Sequence, residues 1–222
     1  MYSNRRKERH LDNGLIYFLI SFIVSIIQKL SIVEWLKKII GNIVWKRYKE
    51  KYSKEAIQRK QRFALNITID VFIIFKFSLV ALLWYLDFSS ILSNVIIFYL
   101  LFYNLFTYFY HHLWSEVAIR DQYLTLHRVR RRFIALFLSI IYMIITYSYL
   151  YKVVFSENFI WSNNLIDSKK AILFSISNSF AGTYQELIPL NDLGEMIKVS
   201  QTIMMFIFIT LILARSLPVA KN

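Results

Sequence analysis

Apolar positions in this chain fall in long unbroken runs, not in the short alternations of a soluble sheet or the one-sided stripes of a soluble helix. Phe63–Leu86, Ile91–Trp114, Phe133–Val154 and a stretch from about Glu195 to Leu217 each reach the length that a helix needs to cross a bilayer. At 1.5 Å per residue, the first of them gives about 36 Å of helix. Leu15–Ile27 is shorter, and its pattern continues amphipathically through Trp35, Leu36, Ile39 and Ile40 with Lys37 and Lys38 between. Two readings stay open for it: a helix lying on the membrane surface, or a tilted span from Leu15 to Leu36. No small-residue cleavage site follows, so removal as a leader is not expected. The pattern predicts an all-α integral membrane protein with four transmembrane helices and an N-terminal amphipathic helix.

Polar residues separate these runs in blocks. Lys46–Arg62 holds eight Lys/Arg against Glu50 and Glu55, and Arg120, Arg128, Arg130, Arg131 and Arg132 crowd the stretch Ser115–Arg132. If both blocks mark the cytoplasmic side, span one goes out, span two returns and span three goes out. The last span then returns, and Arg215 and Lys221 end inside. The expected location is the cell membrane, multi-pass, with the N-terminal basic region and the C-terminus cytoplasmic. The first block is a solvated linker or a sensor of anionic lipid. Neither preceding span carries arginine at every third position, so voltage sensing of the usual kind is not expected.

Composition agrees: 57% hydrophobic and 18% aromatic residues exceed what a soluble domain carries. The net charge of +13 would suggest nucleic acid in a soluble protein. Here the cations lie between apolar runs, and no nucleic-acid partner is expected. The chain has no cysteine, which excludes disulfides and thiolate metal sites. His111 and His112 project about 100° apart on a helix and lack further ligands at suitable spacing, so interfacial histidines are the plainer reading and no metal or cofactor is expected. Asp70 and Lys76 lie on different faces of the first span, each expected to pair with another helix or to act in gating. No nucleophile stands beside a base, and no carboxylate pair falls at helical spacing within a span. An enzyme is therefore not expected, with His111, His112 and Asp70 the only candidates for that reading.

The remaining grammar lies between Asp167 and Pro218. Ser168–Phe180 reads as a short helix capped by Asp167 or Ser168. A polar turn Ala181-Gly182-Thr183-Tyr184-Gln185-Glu186 follows, then Leu187-Ile188-Pro189 and the last long helix. Of four glycines and two prolines, Gly182, Pro189 and Gly194 share this short window, where the backbone must bend and stop. Non-helical backbone survives at membrane depth only against water or protein, so the expectation is a re-entrant loop.

Ala171–Phe180, Glu186-Leu-Ile-Pro189 and Asn191-Asp-Leu-Gly194 together resemble the pore module of the two-transmembrane potassium-channel superfamily. With Pro189 as anchor, the family filter falls on Ala181, Gly182, Thr183, Tyr184, Gln185 and Glu186. Tyr184 matches, Glu186 replaces an aspartate, and Thr183 and Gln185 stand where the family has glycine. The resemblance covers about residues 132–217 and implies a pore-forming subunit of a tetrameric cation channel with altered or low selectivity. A monovalent cation is the implied permeant species and a homotetramer the implied assembly, while the basic block Lys46–Arg62 is what suggests a bilayer with anionic lipids as partner. Asp192 and Glu195, with Glu186, would lie at the outer mouth, unless Asp192 only caps the last helix. Thr202 and Thr210, about 80° apart on that helix, would border a cavity while Ile203, Phe206 and Leu213 pack. No glycine interrupts Glu195–Leu217, so a hinged inner helix is not expected, and no C-terminal ligand-binding domain is expected after Arg215. The chain would divide into a basic N-terminal region (1–62), a two-helix hairpin (63–114), a basic linker (115–131) and the pore module (132–222). The alternative is a non-conducting membrane subunit that keeps the channel fold and acts through protein or lipid contacts.

Overall fold

The computed structural model describes residues 14–110, 114 and 126–216. Expectations for residues 1–13, His111, His112 and Arg120 lie outside the described residues. The structure is almost entirely helical. Among the described residues, four helices are long and apolar enough to cross a membrane, and one bent pair adds a possible fifth span. The chain divides into two compact units, Met1–Ile74 and Phe75–Asn222, with the boundary inside one continuous helix.

In the first unit, α1 (Leu15–Lys29) and α2 (Ile32–Tyr48) are bent by 61° at their junction. The break has a local cause. Ser31 is the N-cap of α2: its backbone is extended, and its hydroxyl accepts from the Glu34 amide at 3.4 Å. Glu34 also pairs with Lys37 at 2.7 Å, one turn on. Most apolar side chains of α1 are exposed, Leu15 and Ile16 most of all. α3 (Lys54–Tyr85) starts inside the basic block, nine residues before the apolar run, because the Ser53 hydroxyl accepts from the Ala56 amide.

The second unit holds the end of α3, then α4 (Ile91–Phe109), α5 (Leu126–Tyr149), α6 (Ser168–Ser179) and α7 (Asp192–Ser216). The α3–α4 turn closes with Asp87 at φ 45 and a reciprocal capping box between Ser90 and Ser93. α5 runs on into a wide π turn, Leu150–Val154, that buries Leu150 and Tyr151. Two short antiparallel strands follow, β1 (Phe159–Trp161) and β2 (Leu187–Pro189), with Ile160 opposite Ile188. Pro189 ends β2, where a missing N–H costs the ladder nothing.

Several contacts bring the α3–α4 turn, the end of α5 and the start of α6 to a common level. Lys152 pairs with Asp87, the Tyr149 hydroxyl donates to Phe88 O at 2.8 Å, and Trp84 Nε1 donates to Ser168 Oγ at 3.2 Å. The end of α3, the end of α5 and the start of α6 therefore meet. At the far end of α4, the Tyr108 ring lies edge-on to Phe208 of α7, 5.9 Å away. Between the two levels, buried Lys76 donates to Asn104 Oδ1 at 2.7 Å and lies 4.5 Å from the Tyr142 ring centre. Asn104 passes the contact on, donating to Ser139 O at 3.1 Å, so α3, α4 and α5 are joined by polar groups in an otherwise apolar interior. Asp70, by contrast, is exposed.

Candidate functional site

The short helix α6 occupies the notch between α5 and α7. Asp167 is its N-cap, with the carboxylate accepting from the Lys169 amide at 3.2 Å. Its inward face is made of small and polar residues, Ala171, Ser175, Asn178 and Ser179, at the three-and-four spacing of one helix side. Phe174 sits on the same side and packs edge-on against Tyr151 of the π turn and Phe159 of β1, at 4.8 Å and 5.8 Å. The small residues let the helices approach closely, and the three rings fix how far α6 can slide.

A buried polar network fills the approach. Gln201 of α7, with 0% exposure, donates from Nε2 to Ser175 Oγ at 2.7 Å and to Ser179 Oγ at 2.9 Å. Its Oε1 accepts from the Tyr151 hydroxyl at 2.6 Å and from Asn178 Nδ2 at 3.0 Å. Asn178 Nδ2 also donates to Lys198 O at 2.9 Å, and its Oδ1 accepts from Thr202 Oγ1 at 3.2 Å. Ser175 Oγ reaches back to Ile144 O on α5 at 2.8 Å. Each of these buried groups has partners inside the same chain, as polar groups away from water require. Gln201 and Asn178 were visible in the sequence as polar residues in apolar surroundings. The Ser175–Asn178–Ser179 spacing puts three polar groups on one face of α6, but nothing in the sequence pairs that face with Gln201.

The turn that follows α6 is closed by its own backbone. The Gly182 amide donates to Ser177 O at 2.8 Å and the Ala181 amide to Asn178 O at 3.1 Å. This is the paired-bond helix stop in which the fifth residue is left-handed. That residue is Ala181, at φ 54, and no glycine in the chain has positive φ. Gly182 is required for a different reason than the expected bend. A Cβ there would lie 2.7 Å from Ser177 Oγ and 3.0 Å from Ser177 O.

Ala181, Gly182, Thr183, Gln185 and Glu186 are all exposed, and Tyr184 is partly covered. Burial first, and then the charges of Glu186 and Asp167, push the Tyr184 hydroxyl above the usual phenol range. The far end of the turn is anchored. The Ser162 amide donates to the Glu186 backbone carbonyl at 2.9 Å, and the Ser162 hydroxyl donates to Glu186 Oε2 at 3.2 Å. Lys170 Nζ donates to Ser162 O at 2.7 Å and lies 3.7 Å from the same carboxylate.

α7 begins at Asp192, earlier than the pattern suggested. Its cap is Asn191, whose Oδ1 accepts from the Gly194 amide at 3.0 Å, so the capping role considered for Asp192 belongs to its neighbour. Asp192 is exposed, and Glu195 pairs with Lys198 at 3.5 Å. Gly194 is buried where a Cβ would collide with Asn158 O. Thr202 and Thr210 have different surroundings. Thr202 faces α6 through Asn178, whereas Thr210 is exposed, with its hydroxyl on Phe206 O at 2.9 Å. Met196, Val199, Ile203, Phe206 and Thr210 form an exposed stripe on α7 at alternating steps of three and four. Met196 is 67% and Phe206 69% exposed. Among the described residues, no group of three or more His, Asp or Glu is placed to hold a metal ion.

No protein-family model, no curated protein and no solved structure matches this chain.

Proposed function

We propose that the chain is the pore-forming subunit of a homotetrameric cation channel, with a potassium-channel-like pore module of altered or low selectivity. The observation that carries the reading is the exposed, non-helical turn Ala181–Glu186. It is held at the end of a short capped helix that α5 and α7 grip through buried hydrogen bonds. Such a turn is tolerated among membrane spans where it lines water or meets protein. A single copy has one turn and cannot enclose a path, so the reading needs copies around an axis. The exposed residues Met196, Val199, Ile203 and Phe206 supply a face for them, because apolar residues at steps of three and four are the repeat by which helices pack in register. The polar side chains and carbonyls of the turn would coordinate the ion, and the permeant species is a monovalent cation. Thr183 and Gln185, in place of glycine, restrict the backbone conformations that aim successive carbonyls inward, which is the basis for low selectivity.

The test is the purified full chain in a planar bilayer, with the subunit count taken by mass in detergent. The reading expects tetramers and unitary cation currents. Verified tetramers that pass no current would overturn conduction, and a monomer would overturn the assembly as well.

One observation favours a second reading, a non-conducting subunit that keeps the channel fold. Glu186 is paired with Lys170 and Glu195 with Lys198, so two carboxylates of the expected mouth are already neutralised within the chain. On that reading, substitutions across Ala181–Glu186 leave the protein's role intact, while loss of the basic blocks abolishes it.

A further inference from the structure

The first unit presents a charged elbow that the pore reading does not use. Between Lys46 and Arg62 the chain ends α2, turns at 49–53 and starts α3, carrying eight cations and two carboxylates. This elbow is built, not merely charged. Lys60 Nζ lies 4.3 Å from the Tyr48 ring centre and 4.1 Å from that of Tyr52, and the two rings meet edge to face at 5.5 Å. Gln61 Nε2 donates to Gly41 O at 3.1 Å, and a Cβ on Gly41 would stand 3.0 Å from that nitrogen. Ile57 is buried beneath. With Lys60 committed to the rings, Lys54, Arg59 and Arg62 remain exposed on the start of α3. Trp45 and Tyr52 are exposed at the same elbow.

We propose that this elbow binds the anionic phospholipid headgroups of the leaflet at which the α3 span begins. Three observations select that partner. α3 runs without a break from Lys54 into the apolar run at Phe63, so these cations are tethered to the bilayer edge. From Arg62 back to Lys54 is about 12 Å of helix. The nearer cations therefore reach the headgroups, and the farther ones lie within roughly one screening length of them. Exposed Trp and Tyr beside clustered Lys and Arg is the composition of a headgroup-level surface. A nucleic acid would meet the same cations only after passing that layer of lipid phosphate.

The full chain in neutral micelles, offered equal amounts of phosphatidylglycerol and phosphatidylcholine, tests this by native mass spectrometry of the retained lipid. The expected result is a preference for phosphatidylglycerol that falls as salt is raised. Arg59→Gln with Arg62→Gln should lower it by about fivefold per cation removed, and Arg59→Lys with Arg62→Lys should restore it. Lys60→Met should change the preference less than either arginine does, while lowering the melting temperature of the elbow. Equal retention of the two lipids by the native chain would overturn the proposal. So would an undiminished preference in the double glutamine variant, or tighter binding of an RNA oligonucleotide at matched phosphate concentration. If the glutamine variant does not fold, the salt titration of the native chain decides, since a salt-independent preference is incompatible with headgroup charge. None of these outcomes depends on whether the chain conducts.

Discussion

The Tyr151 hydroxyl donates a 2.6 Å hydrogen bond to Gln201 Oε1, and both side chains are fully buried. One contact thus joins the π turn at the end of α5 to the middle of α7, with Asn178 of α6 sharing the same acceptor. The three helices that present the turn Ala181–Glu186 are held as one body by polar groups, in an interior where apolar packing alone would allow sliding.

Removing one partner leaves the other buried and short of a bond. Tyr151→Phe is expected to cost about 1–3 kcal/mol. Gln201→Met should cost at least as much, because it takes one hydrogen bond from each of Ser175, Ser179, Asn178 and Tyr151 at once. A double-mutant cycle between Tyr151→Phe and Gln201→Met, read from unfolding in mixed micelles, should give a coupling of about 0.5–2 kcal/mol. Additive effects would mean that the contact does not bind the helices together.

The long apolar helices were legible because bilayer thickness sets a length that few other structures need, and Phe133–Val154 is long and apolar enough to cross in sequence and structure alike. The start of α3 was not legible. Its first residues are charged, and only the Ser53 cap separates a helix start from a linker. The polar network behind α6 was half legible: Ser175, Asn178 and Ser179 share a face by spacing alone, but their partner Gln201 lies on another helix and no periodicity connects the two. Gly182 serves close approach to Ser177 and not a positive φ. The sequence cannot distinguish a glycine needed for positive φ from one needed for close approach, and here Ala181 takes the strained conformation.

Ala181 at φ 54 carries a left-handed conformation that costs an L-residue roughly 1–2 kcal/mol. Ala181→Gly should therefore raise stability by about 1 kcal/mol, less the entropy that glycine adds to the unfolded chain. Gly182→Ala should do the opposite, since its methyl would press on Ser177 Oγ and on the Ser177 carbonyl. Thermal melts of the two variants in detergent should shift in opposite directions. A shift of the same sign in both would show that the helix stop is not formed as described.

Lys76 and Asn104 make a charge-assisted bond at 2.7 Å inside the helix bundle, and Lys76 is only 6% exposed. Asn104→Leu withdraws the acceptor and should cost about 2–4 kcal/mol, more than a neutral hydrogen bond. Adding Lys76→Met to it should recover part of that loss, because the ammonium no longer needs a partner. Chemical unfolding of the three variants would show it. A double variant less stable than Asn104→Leu alone would mean that Lys76 contributes chiefly through its other contacts.

Lys170 sits 3.7 Å from the Glu186 carboxylate, which is half exposed, so the pair adds less than about 1 kcal/mol to stability. Its weight falls on the local field instead. With Lys170→Gln the carboxylate loses its cation, and copies around an axis would place several unneutralised charges at one mouth. Cations would then concentrate there, and unitary conductance in dilute salt should rise. Glu186→Gln should lower it. Both differences should fade in concentrated salt, where screening shortens the reach of the field to a few ångström. Single-channel recordings of the two variants at low and high salt separate this from a structural effect, which salt would not erase. If both variants conduct like the native chain in dilute salt, Glu186 does not face the ion path, and the expected outer mouth must be built from other residues.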